Sequence, residues 1–369
     1  MQHFARVSVG GKSARNTGIP SATQPRWPGL LVFAVLLVAA SSLPAATAPQ
    51  LTWYRFSKDF ITQHYAVDSA IGKLESSDPQ PAKNKHSTSC GGNDGEIHIG
   101  LASDSLQWQH SGDLVNSSMA KSDEEFGVVA EPVNITTATM KAVRDSKGQS
   151  TTFTGYFRAW NEGHDRATGK IPPSNPNHII EVHPSWALQS DAGSFDSPTS
   201  IAPMKGYSGY GATKLRPMLE SITNDEWLKA YEDDEYVYVQ IAKEDNFYQL
   251  PVKLRGSVQQ VSGAVTISAD VYSDAAHKNL IYKQLRIVSN EGSPITKRFQ
   301  NPAKIQYLLG IFSVNLKVAM DSAKGHRSEN DAVFAPEALE FFAYGVPLET
   351  AVKSSSGKGG VKCVEETGD

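Results

Sequence analysis

The sequence predicts a mainly β, α+β protein: two small antiparallel β lobes with short helices, the first OB-like. Three observations carry this prediction. Apolar residues recur with period two through most of 96–183 and 236–288. One helical pattern, Thr136–Ser146, interrupts the first set of strands. Gly, Ser and Pro concentrate over 189–211, between the two β-rich regions.

The first 28 residues hold Arg6, Lys12, Arg15 and Arg26 and no acid. An apolar run of 12 residues, Gly29–Ala40, follows, then the small residues of Ser41–Ala48. That order predicts a secretory signal over 1–45, with an uncleaved anchor as the alternative. The run is short for a membrane span, so no stable insertion is expected after cleavage. Export to the periplasm or the cell exterior follows.

Residues 46–89 read as a helical segment, Ser57–Leu74, and a linker, because Phe60, Val67, Ile71 and Leu74 fall on one helical face. The first lobe is placed at 90–188. It has strands at Glu96–Leu101, Phe126–Glu131, Thr152–Trp160 and His178–His183, with the Thr136–Ser146 helix in their midst. A linker is placed at 189–211 and a C-terminal β-rich lobe at 212–325. That lobe opens on a short helix, Asn224–Glu232. Strands Tyr236–Ala242, Tyr248–Arg255, Val258–Tyr272 and Leu280–Val288 follow, with a turn at Gly256. A helix over 302–309 and a closing strand Ile311–Met320 complete it. Residues 326–369 read as a short helix, Pro336–Tyr344, and a tail. No repeat of solenoid or propeller period is present.

Charge narrows the partners. The chain of 369 residues has 35 basic and 39 acidic side chains, a net charge of -4. Loss of the signal leaves 31 basic against 39 acidic residues, near -8. Nucleic acid is therefore an unlikely partner class on electrostatic grounds. The two cysteines, Cys90 and Cys363, exclude a disulfide-dense scaffold. In an oxidising compartment they either pair across 273 residues, with an entropic ceiling of ~5 kcal/mol, or remain thiols in the flanks.

The chemistry-bearing set is Arg158, Trp160, Glu162, His164, Glu181 and His183. If 156–164 and 178–184 pair, period two brings polar members of each strand to one sheet face. Two readings stay open there. In the first, Arg158, Trp160, Glu181 and His183 bind a ligand, with Trp160 stacking and Arg158 and Glu181 fixing polarity. In the second, Glu162, His164, Glu181 and His183 hold a metal, since imidazole suits zinc and carboxylate suits manganese. His98 and Glu131 join only if their strands neighbour this pair. Ordinary cross-strand ion pairs explain the same residues. Tyr231, Tyr236, Tyr238 and Tyr248 suggest an aromatic strip, or simply strand packing. No P-loop, dinucleotide fingerprint or G-x-S-x-G is present, so the sequence names no cofactor and no serine nucleophile.

The stretches DGEIHIGL at 94–101, GYFRAWNEG at 155–163, NPNHIIEVHP at 175–184 and IQYLLGIF at 305–312 resemble a family of uncharacterised exported bacterial proteins. The resemblance covers about residues 90–325. It implies export and a shared fold, and no activity. The expectation is a non-enzymatic binding or envelope-associated module, whose ligand is a polysaccharide or envelope component. The alternative is a metal-dependent hydrolase.

Overall fold

The computed structural model describes residues 51–64, 67–77, 97–102, 113–114, 128–132, 137–161, 179–196, 212–224, 227–242, 247–261, 263–273, 278–300, 302 and 307–345. All of them belong to one compact unit, Ala48–Asp369.

In chain order the elements begin with β1 (Leu51–Ser57), α1 (Lys58–Gln63), β2 (Val67–Ser77), β3 (Ile99–Ala102), β4 (Asp113–Leu114) and β5 (Val128–Pro132). Next come α2 (Thr137–Asp145), β6 (Ser150–Ala159), β7 (Ile180–Gln189), β8 (Ser194–Asp196) and α3 (Ala212–Asn224). β9 (Lys229–Glu232), β10 (Tyr236–Ala242), β11 (Phe247–Val261), β12 (Ala264–Tyr272) and β13 (Leu280–Asn290) follow. The last described elements are α4 (Pro294–Phe299), β14 (Tyr307–Val314), α5 (Leu316–Ser322), β15 (Val333–Phe334) and β16 (Leu339–Gly345). Among the described residues no helix is long and apolar enough to cross a membrane.

The protein is mainly β, and its strands make two barrels of one plan. In the first, β3 pairs with β2 and β5, β6 pairs with β2 and β7, and a parallel contact between β5 and β7 closes the ring. In the second, β12 pairs with β11 and β13, β14 pairs with β11 and β16, and β13 meets β16 in parallel. Numbered within each barrel, the order is 1-2-3-5-4 returning to 1. A helix sits between the third and fourth strands, α2 in one barrel and α4 in the other. The OB-like plan expected of the first lobe therefore occurs twice. A third sheet, ordered β15-β9-β10-β1-β4, stands beside the barrels.

Several elements differ from the sequence reading. The helix expected over Ser57–Leu74 exists only as α1, capped by Ser57 Oγ, which accepts from Phe60 N at 3.4 Å. Val67–Ser77 is instead the first strand of the first barrel, hydrogen-bonded along β6. The helix expected at Asn224–Glu232 lies earlier, as α3. Leu215, Met218, Leu219 and Ile222 make its buried stripe, and it packs on β11 and β13. Lys229–Glu232 is a strand. Gly256 is not a turn: it takes φ +73° inside the long, bulged strand β11, whose pairing with β12 runs on to Val261 opposite Ala264. No helix spans 302–309, since β14 begins at Tyr307. The strand expected to Met320 stops at Val314, because Asn315 caps α5 with its Oδ1 accepting from Val318 N at 3.1 Å. The helix expected at Pro336–Tyr344 is one 3-10 turn, Pro336–Ala338, and then β16, inserted between β13 and β14.

Candidate functional site

The chemistry-bearing residues sit on β5, β6 and β7 of the first barrel. Arg158 lies opposite Glu181 and Phe157 opposite Val182 across β6 and β7. In the parallel pair, Val129 aligns with Glu181 and Ala130 with Val182. Alternation then separates two faces. Phe157, Val182 and Ala130 enter the hydrophobic core. Arg158, Glu181, His183 and Glu131 lie on the opposite face, all at 0% exposure.

Acidic and basic side chains alternate along that face. Arg158 Nη1 donates to Glu181 Oε2 at 2.9 Å. His183 Nδ1 stands 3.2 Å from the same Glu181 oxygen and 2.9 Å from Glu131 Oε2. A ring nitrogen held between two carboxylate oxygens has to carry its hydrogen there. His98 Nε2 lies 3.4 Å from Glu131 Oε1, so both conditional members of the set do join it. Donor atoms of Glu131, Glu181 and His183 all fall within 4.8 Å of one another, the spacing of a cation site.

The second barrel covers this face. Arg158 Nε donates to the Phe312 carbonyl of β14 at 2.8 Å, and Ala159 N donates to Ser313 Oγ at 3.2 Å. Nearby, Tyr156 Oη donates to Glu340 Oε1 of β16, while Asn315 Nδ2 donates to Glu340 Oε2 at 2.9 Å. Burial holds the Glu340 carboxyl above the ordinary carboxylate range, against the opposing pull of Tyr156, Arg286 and Asn315. Aromatic contacts fill the rest of the seam: Tyr156 and Trp186 lie on Phe342, and Trp160 stacks on Phe312 at 5.9 Å.

The open recognition face expected of Arg158, Trp160, Glu181 and His183 is thus an interior seam. Trp160 is fully buried between Phe312 and Trp227, with no ring face for a ligand. Alternation identifies which residues share a face; it does not say what lies over that face. A hydrolytic metal needs a coordination position open to water or substrate, and the Glu131, Glu181 and His183 side chains are all sealed. Glu162, His164, Cys90 and Cys363 lie outside the described residues. Tyr248 is not part of an aromatic strip; it is buried in the second barrel against Phe312.

Sequence reasoning missed Trp53, which meets Tyr231 on the third sheet. Its signal was period two within β1, where Tyr54 and Phe56 alternate with Trp53 and Arg55. No family model, curated protein or solved structure matches the chain.

Proposed function

We propose that this is an exported, non-enzymatic binding module associated with the cell envelope, in the periplasm or outside the cell. The observation that supports the reading is the commitment of Arg158. Its guanidinium joins Glu181 of one barrel to the Phe312 carbonyl of the other, so the residues richest in chemistry hold the two barrels together. Barrels of this plan serve widely as binding frames, which is an analogy of fold. The expected net charge near -8 after signal loss disfavours DNA and anionic lipid. A polysaccharide or another envelope component is the ligand class. Co-sedimentation of the purified chain with isolated envelope fractions tests this: recovery in the pellet is expected, and a chain left wholly in the supernatant rejects it.

One observation favours a second reading, a divalent cation held in the sealed seam rather than at an open hydrolytic centre. The clustered donors of Glu131, Glu181 and His183 suit a divalent cation in place of the shared Nδ1 hydrogen. Elemental analysis of the wild type and of His183→Ala separates the readings. Near-stoichiometric zinc or manganese, lost in the variant, makes the metal reading the leader. No bound metal after incubation with divalent ions removes it.

A further inference from the structure

The third sheet has one buried and one solvent-facing side. Tyr54, Phe56, Ala230, Val237, Val239 and Ile241 are buried on the first. The other presents Trp53, Tyr231, Tyr236 and Tyr238, all half-buried. Register places Tyr231, Tyr238 and Arg55 in one row across β9, β10 and β1. The Tyr231 and Tyr238 rings stack at 4.4 Å with 4° between their planes, and Trp53 meets Tyr231 edge-on at 5.0 Å.

Two of these aromatics are pinned by carboxylates at the rim. Trp53 Nε1 donates to Glu329 Oε1 at 2.9 Å, and Tyr238 Oη donates to Asp233 Oδ2 at 2.6 Å. Asp233 is itself fixed by the backbone N–H groups of Glu235 and Tyr236. The Arg55 guanidinium lies 5.2 Å from the centre of the Tyr236 ring. The result is a continuous aromatic surface set in fixed rotamers and bordered by hydrogen-bonding groups of both signs. Strand propensity accounts for tyrosines here. It accounts for the tryptophan too; what it does not set is their contact in one cluster, Trp53 on Tyr231 and Tyr231 on Tyr238.

We propose that Trp53, Tyr231 and Tyr238 form a binding surface for an uncharged polysaccharide. This rests on the binding-module reading above and assigns its site. Tyr231 and Tyr238 each give one face to the other, so a pyranose ring meets the remaining aromatic surface of the set with its C–H groups and offers hydroxyls to the tyrosine hydroxyls and the rim carboxylates. The rim selects against other polymers. The carboxylates of Asp233 and Glu329 touch the aromatic set directly and Arg55 lies in the same row, so charges of both signs border the surface and it offers a polyanion no single-sign patch.

Retention of the purified full chain on insoluble cellulose, chitin and curdlan, all uncharged, tests the proposal, with immobilised heparin as the polyanion. The wild type should be retained on at least one of the three. Trp53→Ala and Tyr231→Ala should each weaken retention tenfold or more with an unchanged melting temperature. Val258→Ala, which removes an exposed apolar side chain of the second barrel outside this surface, should stay within about threefold of wild type. The proposal is overturned if the wild type binds none of the three, if both alanine variants bind like wild type, or if heparin binds best. Envelope co-sedimentation of Trp53→Ala separates the two claims. Pelleting like wild type would leave the binding module standing and refute this surface as its site. Loss of both wild type and variant from the pellet would end the broader reading too.

Discussion

Gly155 and Gly310 hold equivalent places in the two barrels, each in the fourth strand where the fifth crosses too close for a side chain. A Cβ on Gly155 would run into the Pro184 carbonyl and lie 2.7 Å from Ser185 Cα. A Cβ on Gly310 would run into the Phe342 carbonyl and lie 2.9 Å from the Phe341 ring. Each glycine stands two residues before a phenylalanine, Phe157 or Phe312. The repeat in this chain is thus one of topology, kept by steric need at matching points.

Overpacking at these positions gives the first prediction. Gly155→Ala and Gly310→Ala should each destabilise the protein by about 1–3 kcal/mol, because backbone, not a movable side chain, blocks the new methyl. Urea unfolding reads this as a lower midpoint at unchanged slope. Midpoints equal to wild type would show that the fifth strands can withdraw.

The seam predicts a double-mutant cycle. Arg158→Met alone leaves Glu181 buried without its guanidinium, and Glu181→Met alone leaves Arg158 in the same position. Each single change should destabilise by about 3–5 kcal/mol, and the double variant by clearly less than the sum. Additive losses would mean that the pair is not coupled.

Glu340 predicts a pH dependence. Its carboxyl is raised by burial, so its contribution to stability is full below the ordinary carboxylate range and is lost as pH rises through the raised value. Glu340→Gln cannot ionise. Relative to this variant, wild type should therefore lose stability as pH rises from the ordinary carboxylate range through the raised value. Denaturant melts at several pH values in that window measure the difference; a flat difference contradicts the assignment.

Glu232 has the opposite sign. Burial pushes it up, but the Lys58 ammonium at 2.7 Å and the Gly325 N–H hold it below the ordinary range. Its stabilisation is present above the unfolded value and is lost as pH falls through the lowered one. Lys58→Met should cost about 1–3 kcal/mol at neutral pH, and the gap to wild type should close in acid. A gap that persists in acid would assign the loss to the other Lys58 contact, with the Asp233 carbonyl.

Legibility in the sequence followed the range of the interactions involved. Strands β3, β6, β7, β10 and β13 could be read because alternation is local and each keeps one apolar face. β2 and β16 could not. Val67, Ile71 and Leu74 fit a helical face as well as a strand, and short apolar runs such as Leu339–Gly345 fit either structure. What decides them is pairing with β6, roughly 80 residues away, and with β13 and β14.

The candidate site divides in the same way. Alternation by itself determined that Arg158 points opposite to Phe157, and Glu181 and His183 opposite to Val182, because the side-chain period of a strand is a local property; pairing of β6 with β7 then put the three polar residues on one face. The tertiary structure alone decided that Glu131 and His98 would join them and that a second barrel would cover them. It also left Trp53, Tyr231 and Tyr238 facing solvent. The physical reason is that a strand carries its own periodicity, whereas the neighbour that desolvates a face is supplied by residues more than 100 positions away, as Phe312 is for Arg158.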